Sequence, residues 1–270
     1  MSAAGKTSKA ELIRVMQQAR VIDLAQPWHV GMPHWPAHPP FLYSPTKLHG
    51  ETVLEGGASS AADAIALGTH TGTHIDALGH FSCLGLLHGG AEAAANQSYE
   101  RGLETLSITA VPPIVRRGVL LDVAALHGLD ALAEDHTVTP EDLAGAEKRA
   151  GVTLARGDVA LLRTGWARYF GDVRRFLNEL RLPGPRRAGA EWLSARGVFA
   201  AGSDTVAFEQ SPSPRMEVHV HLLVERGIHI IEVLNLEELA GAGVHEFGFV
   251  AAPLKIRGAT GSPIRPFALC

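Results

Sequence analysis

A chain of 270 residues, 46% hydrophobic and 19% charged, can bury a full core as one large domain, which excludes a disordered polymer. Its formal net charge of -4 gives no basic field to attract nucleic acid, and no apolar run approaches the roughly 18–20 residues of a membrane helix. The two cysteines, Cys83 and Cys270, are too few for a disulfide framework or an all-cysteine zinc site.

Along the chain, Met1 to Lys9 is small and polar. It lacks the apolar core of a signal peptide, so a cytoplasmic protein is expected. Residues 10–20 read as an amphipathic helix carrying Leu12, Ile13, Val15 and Met16. Residues 21–24 read as a short strand. Residues 26–48 hold six prolines, which forbid a helix and predict an ordered extended arm or edge strand. The arm also carries Trp28, Trp35 and Phe41. Residues 118–124 form a buried-strand pattern. Thr139-Pro140-Glu141-Asp142 opens a helix, with a capping threonine, proline in the first turn and acids at the positive end of the dipole. That helix runs to about Ala150. Strands are expected at 158–163, 198–201, 228–233 and, last, 250–256; helices are expected at 188–196 and 218–225. Strands alternating with helices predict an α/β fold, as one domain over 1–270 with the proline-rich arm laid over it or over a partner subunit.

The chemistry concentrates in Gly68-Thr-His70-Thr-Gly-Thr-His74-Ile-Asp76-Ala-Leu-Gly-His80. Imidazole and carboxylate together suit zinc or manganese. On a helix, Asp76 would point roughly 240° away from His70. On a strand, His70, His74 and Asp76 share a face, but the outer two would stand about 20 Å apart. The backbone must therefore bend within the motif, and Gly72 and the Gly-Thr steps around it are the residues that permit it. His80 lies beyond the ligands, where it can move a proton. A purely structural histidine cluster is the competing reading, but three histidines and a carboxylate among glycines serve a core poorly.

This pattern, His-x-Gly-Thr-His-x-Asp-x-x-x-His, resembles the signature of the cyclase family of metal-dependent hydrolases, which includes bacterial kynurenine formamidase and isatin hydrolase. The resemblance extends to residues 21–24 with Gly31-Met-Pro33, to 118–123, to 157–166, to Gly202-Ser-Asp204-Thr, to 231–236 and to 258–266. It implies a swivelling β/β/α fold, usually a homodimer or homotetramer. It implies that His70, His74 and Asp76 bind metal, that His80 is the catalytic acid/base, and that a later His and Glu232 complete a position for a second ion. His219 is favoured for that His, with His221 as rival.

The expected activity is hydrolysis of an amide or cyclic amide, isatin- or N-formylkynurenine-like, by water activated on one or two zinc or manganese ions. Lactone or ester hydrolysis, a metal-dependent lyase that consumes no water, and a non-catalytic metal- or ligand-binding protein stand as alternatives. The presence of His80 weighs against the last. Trp35 and Phe41 are candidates to line an aromatic substrate pocket, with anchoring of the proline-rich arm as the alternative, and Ser203 to bind substrate, although a turn or cap suits Ser203-Asp204 equally. Trp166 reads as core or interface, and Cys83 as a buried thiol. His29, His34 and His38 read as surface residues, with a role at the mouth of the site as the lesser alternative; His88, His127 and His136 read as surface residues. The partner expected is a small molecule, with neither nucleic acid nor membrane.

Overall fold

The structure, a computed structural model, describes residues 8–270. Most of the Met1–Lys9 stretch lies outside them. An N-terminal helix α1 (Lys9–Gln18) is capped by the Ser8 hydroxyl, which accepts the Glu11 N–H. The helix buries none of its residues, and Leu12, Ile13, Val15 and Met16 face solvent. Strand β1 (Val21–Asp23) follows, and then the proline-rich arm. The arm continues into β2 (Leu42–Lys47), which pairs antiparallel with β3 (Ala62–Ala66) as a projecting hairpin.

The main sheet is completed by β4 (His74–Asp76), β5 (Ile114–Asp122), β6 (Val159–Arg163), β7 (Ala200–Ser203), β8 (His229–Glu232), β9 (Glu246–Ala251), β10 (Gly261–Pro263) and β11 (Phe267–Leu269). Its nine strands run in the order β1-β11-β9-β5-β6-β7-β8-β4-β10 and curl into a half-barrel. The four central strands, β5 to β8, are mutually parallel. They are apolar almost continuously because both faces are covered. The outer strands are antiparallel.

Crossover connections carry the helices. After β5 come α2 (Val123–Leu126) and α3 (Pro140–Ala150). After β6 comes α4 (Arg187–Ala195). After β7, a short turn of helix, Glu217–His219, widens into Val220–Arg226; together these are α5. A last short helix, α6 (Glu237–Gly241), follows β8. The capping box at α3 forms as its sequence predicts: Thr139 and Asp142 each accept the other's backbone N–H.

Side chains alternate between two cores. Val119, Leu121, Ala160 and Leu162 pack with Leu143, Leu193, Val218 and Leu222 of the helices. Leu120, Val159 and Leu161 pack on the opposite face with Ile22, Leu24, Ile75, Phe247 and Phe249. A third cluster, with Met32, Phe41, Trp166, Phe170 and Phe176, roots the arm.

Two expectations are corrected. The strand expected over 250–256 spans Glu246–Ala251 and stops before Pro253, which has no N–H for a ladder. Two further short strands, β10 and β11, close the sheet after it. Gly-Ser-Pro of β10 is poor in strand formers, and Phe-Ala-Leu of β11 is too short for alternation to mark a strand. Leu161 is fully buried at the centre of the sheet. Leu161→Ala should lower unfolding free energy by about 2–5 kcal/mol, read as a reduced urea midpoint at unchanged slope.

Candidate metal centre

The site begins with one bend. Gly72 has φ +64°, and a Cβ there would lie 2.5 Å from Trp28 Nε1, so both the conformation and the space call for glycine. The turn brings His70 back beside β4, which carries His74 and Asp76. Strand pairing then sets the remaining geometry. Glu232 of β8 lies opposite His74, and Gly261 of β10 lies opposite Asp76. A Cβ at Gly261 would stand 2.5 Å from the His70 ring. The first turn of α5 contributes His219.

Five side chains from four segments therefore converge. His70 Nδ1 lies 2.7 Å from Asp76 Oδ1, and His74 Nε2 lies 3.6 Å from Asp76 Oδ1 and 3.4 Å from Glu232 Oε2. His219 Nε2 is 3.3 Å from Glu232 Oε1 and 3.9 Å from Asp76 Oδ2. Two triads, His70-His74-Asp76 and Asp76-His219-Glu232, each place their donor atoms within 4.8 Å, and Asp76 is common to both. All five residues are buried.

The electrostatics suit a cation. Asp76 Oδ2 and Glu232 Oε1 are buried carboxylate oxygens without a hydrogen-bond donor, an arrangement that is costly unless positive charge meets it. Burial and the charge of Asp76 push the Glu232 carboxyl up. Burial also opposes ionisation of Asp76, but the surrounding imidazoles of His80 and His70 override it and hold the group low. Burial pushes His74 down to about 4, which leaves its ring neutral and free to ligate. Backbone and carboxylate partners orient the rings. The Gly72 carbonyl lies 2.7 Å from His74 Nδ1, which turns Nε2 inward. Glu209, buried, does the same at 2.6 Å for His219 Nδ1. His229 Nδ1 meets the Asp76 carbonyl at 2.9 Å. The donor set and its unpaired oxygens thus fit a divalent metal.

His80 supplies no atom to either triad. Its ring stacks on that of His70, with centroids 3.8 Å apart, and burial pushes it down to about 3. Both rings line a cavity of about 190 Å³ that Trp35, Phe81, Val206 and Met216 wall with apolar surface.

Of the sequence candidates, His70, His74, Asp76, His80, His219, Glu232 and Trp35 meet here. His221 does not: Ser194 and Glu225 hold its two nitrogens. Phe41 is corrected from pocket to core, packed edge-on against Trp28 with centroids 5.6 Å apart. Ser203 is corrected too, being fully buried with its hydroxyl 2.9 Å from Thr205 Oγ1. His38, expected at the surface, lines the cavity with its ring 5.3 Å from that of His70. The arm carries it there, because His34 bridges to Thr71 and the Thr71 hydroxyl donates to the Pro39 carbonyl. Glu209 was not singled out either; a lone glutamate in a turn carries no motif.

The comparisons with known proteins follow the same lines. Residues 22–210 match the protein family described as "Putative cyclase". A kynurenine formamidase of Bacillus cereus is 27% identical over 253 residues, which cover 93% of this chain and 97% of that one. Isatin hydrolase of Roseibium aggregatum is 27% identical over 214 residues, or 76% and 73% of the two chains. Among solved structures, one described as a novel cyclase superposes with a TM-score of 0.88 at 30% identity, covering 96% of this chain and 89% of its own. Isatin hydrolase A of Ralstonia solanacearum superposes with a TM-score of 0.75 at 25% identity over 99% of both chains.

Glu209→Ala should weaken divalent-metal binding by about 10–100-fold while the protein stays folded, measured by competition with a chromophoric chelator. His74→Ala should remove the equivalent of metal held by His70, His74 and Asp76, read by elemental analysis of the purified protein.

Proposed function

Because the chain belongs to this cyclase family, we propose that it is a metal-dependent hydrolase that cleaves the C–N bond of an amide or cyclic amide. The observation that carries the reading is a neutral imidazole, His80, outside the ligand cluster and facing the same small cavity. The two relatives named above, a formamidase and a cyclic-amide hydrolase by their names, support it.

In this reading His70, His74 and Asp76 hold one divalent ion, and His219 and Glu232 with Asp76 complete a position for a second. Zinc or manganese fits this mix of imidazole and carboxylate. When bound, the metal supplies an activated water and positive charge for the developing oxyanion. The chain's own residues do the rest. His80 accepts a proton from the attacking water on a ring nitrogen and returns it to the departing nitrogen, so one water is added across the C–N bond. Its low basicity keeps that nitrogen free at neutral pH. Trp35 and Phe81 give the cavity aromatic walls, which favours an aromatic amide such as an isatin- or N-formylkynurenine-like compound. Glu209 keeps the His219 ring in one orientation.

Two broader features belong to the same reading. The protein is a homodimer or homotetramer. The exposed Leu42, Tyr43, Leu54 and Ile65 of the projecting hairpin support this, being apolar area that an isolated chain would leave in water. It works in the cytoplasm, a compartment compatible with its two free thiols.

The test uses the purified, metal-loaded enzyme on formamides, cyclic amides and lactones in oxygen-18 water. Amide turnover should incorporate label into the acid product. His80→Ala should lower kcat by about 10²–10⁴-fold with metal content unchanged. A protein that takes up neither zinc nor manganese, or turns over substrate without label, overturns the reading. Lactone turnover alone replaces the amide by an ester bond. Light scattering should give a mass of two or four chains.

A further inference from the structure

A second group of metal-competent side chains lies apart from the buried centre, built from segments that contribute nothing to it. His127 closes α2, with its N–H directed at the Val123 and Ala124 carbonyls. His136 sits in the turn before α3, its N–H bonded to the Ala133 carbonyl and its own carbonyl accepting from Gly184. Asp142 is in the first turn of α3. The Asp142 carboxylate is pinched between the two rings: His127 Nε2 is 2.7 Å from Oδ1, and His136 Nε2 is 3.2 Å from Oδ2. The ring centroids are 4.9 Å apart, and the three donor atoms fall within 4.8 Å of one another.

From this we propose that His127, His136 and Asp142 form a peripheral site for zinc or another imidazole-preferring divalent ion. Two imidazole nitrogens and a carboxylate oxygen are an established zinc donor set, with a water as fourth ligand. The histidine content disfavours magnesium and calcium, which take oxygen. Bonds of about 2.0–2.2 Å place tetrahedral donors about 3.4 Å apart. The observed separations, 2.7 and 3.2 Å with all donors within 4.8 Å, bracket that value. The carboxylate is already oriented, because Oδ2 also accepts the Thr139 N–H in the capping box. His127 and His136 are each partly open to solvent, giving an ion a path inward. An ion here ties the end of α2 to the start of α3, the two helices of the crossover between β5 and β6.

The experiment counts metal on the full-length protein equilibrated with zinc chloride, for wild type, His127→Ala, His136→Ala and His74→Ala. Asp142 is left intact because it also caps α3. The proposal expects one equivalent fewer in both peripheral variants, with hydrolase activity of the loaded enzyme unchanged. It also expects His74→Ala to retain an equivalent that the double variant His74→Ala/His127→Ala loses. Zinc should raise the Tm of His74→Ala by more than it raises that of the double variant. Unchanged stoichiometry in both peripheral variants overturns the proposal, as does complete loss of zinc in His74→Ala. Either result makes the cluster a hydrogen-bonded Asp-His pair alone. The outcomes stay separate from those for the buried centre: zinc that depends on His127 in an enzyme without hydrolase activity would leave this site standing while the hydrolase reading falls.

Discussion

Two carboxylates buried within a few ångströms of each other are the constraint from which the rest of the structure is best understood. Asp76 and Glu232 sit on neighbouring strands and share His74 between them. Each also has an oxygen with no donor. In a low-dielectric interior such a pair is repulsive and costly. Folding tolerates it because three imidazoles surround the pair and because a cation can occupy the space between. The donor positions are set mainly by regular structure. They come from strand register and the first turn of a helix, and only His70 depends on a loop.

Around that cluster, the chain places less regular parts. The arm runs over the mouth of the cavity, anchored by the His34–Thr71 bridge and by an aromatic cluster around Trp166 and Phe176. Gly72 serves both layers. Its left-handed turn swings His70 inward, and its missing side chain leaves room for Trp28 of the arm. The fold therefore couples the metal-competent segment to the cavity wall at Gly72 and, through the His34 bridge and the Pro39 carbonyl, at Thr71.

Much of this was legible in the sequence, for physical reasons. The parallel strands β5 to β8 carry buried apolar stretches such as Val119–Leu121 and Val159–Leu162, so they stand out in the sequence. Helix α3 announces itself through its cap. The bend at Gly72 follows from the distance between His70 and Asp76 on an extended chain. What escaped is what depends on long-range contact. His38 and Glu209 are 32 and 139 positions from His70, and nothing local distinguishes them from surface residues. Phe41 and Ser203 showed the reverse. Each had a suitable residue type next to suitable neighbours, but packing turned one into the core and paired the other with Thr205. The strands β10 and β11 are too short for periodicity to speak.

The division between cluster and arm carries a consequence for how such a protein can change. The metal-competent residues lie on β4, β8, α5 and the loop entering β4, whereas Trp35 and His38 lie in a proline-stiffened segment that adds no strand to the main sheet. Substitutions in that segment alter the shape offered to a small molecule without disturbing the register that assembles the cluster. Selectivity and reactivity therefore have separate addresses in the chain, and divergence can rewrite the first while inheriting the second intact.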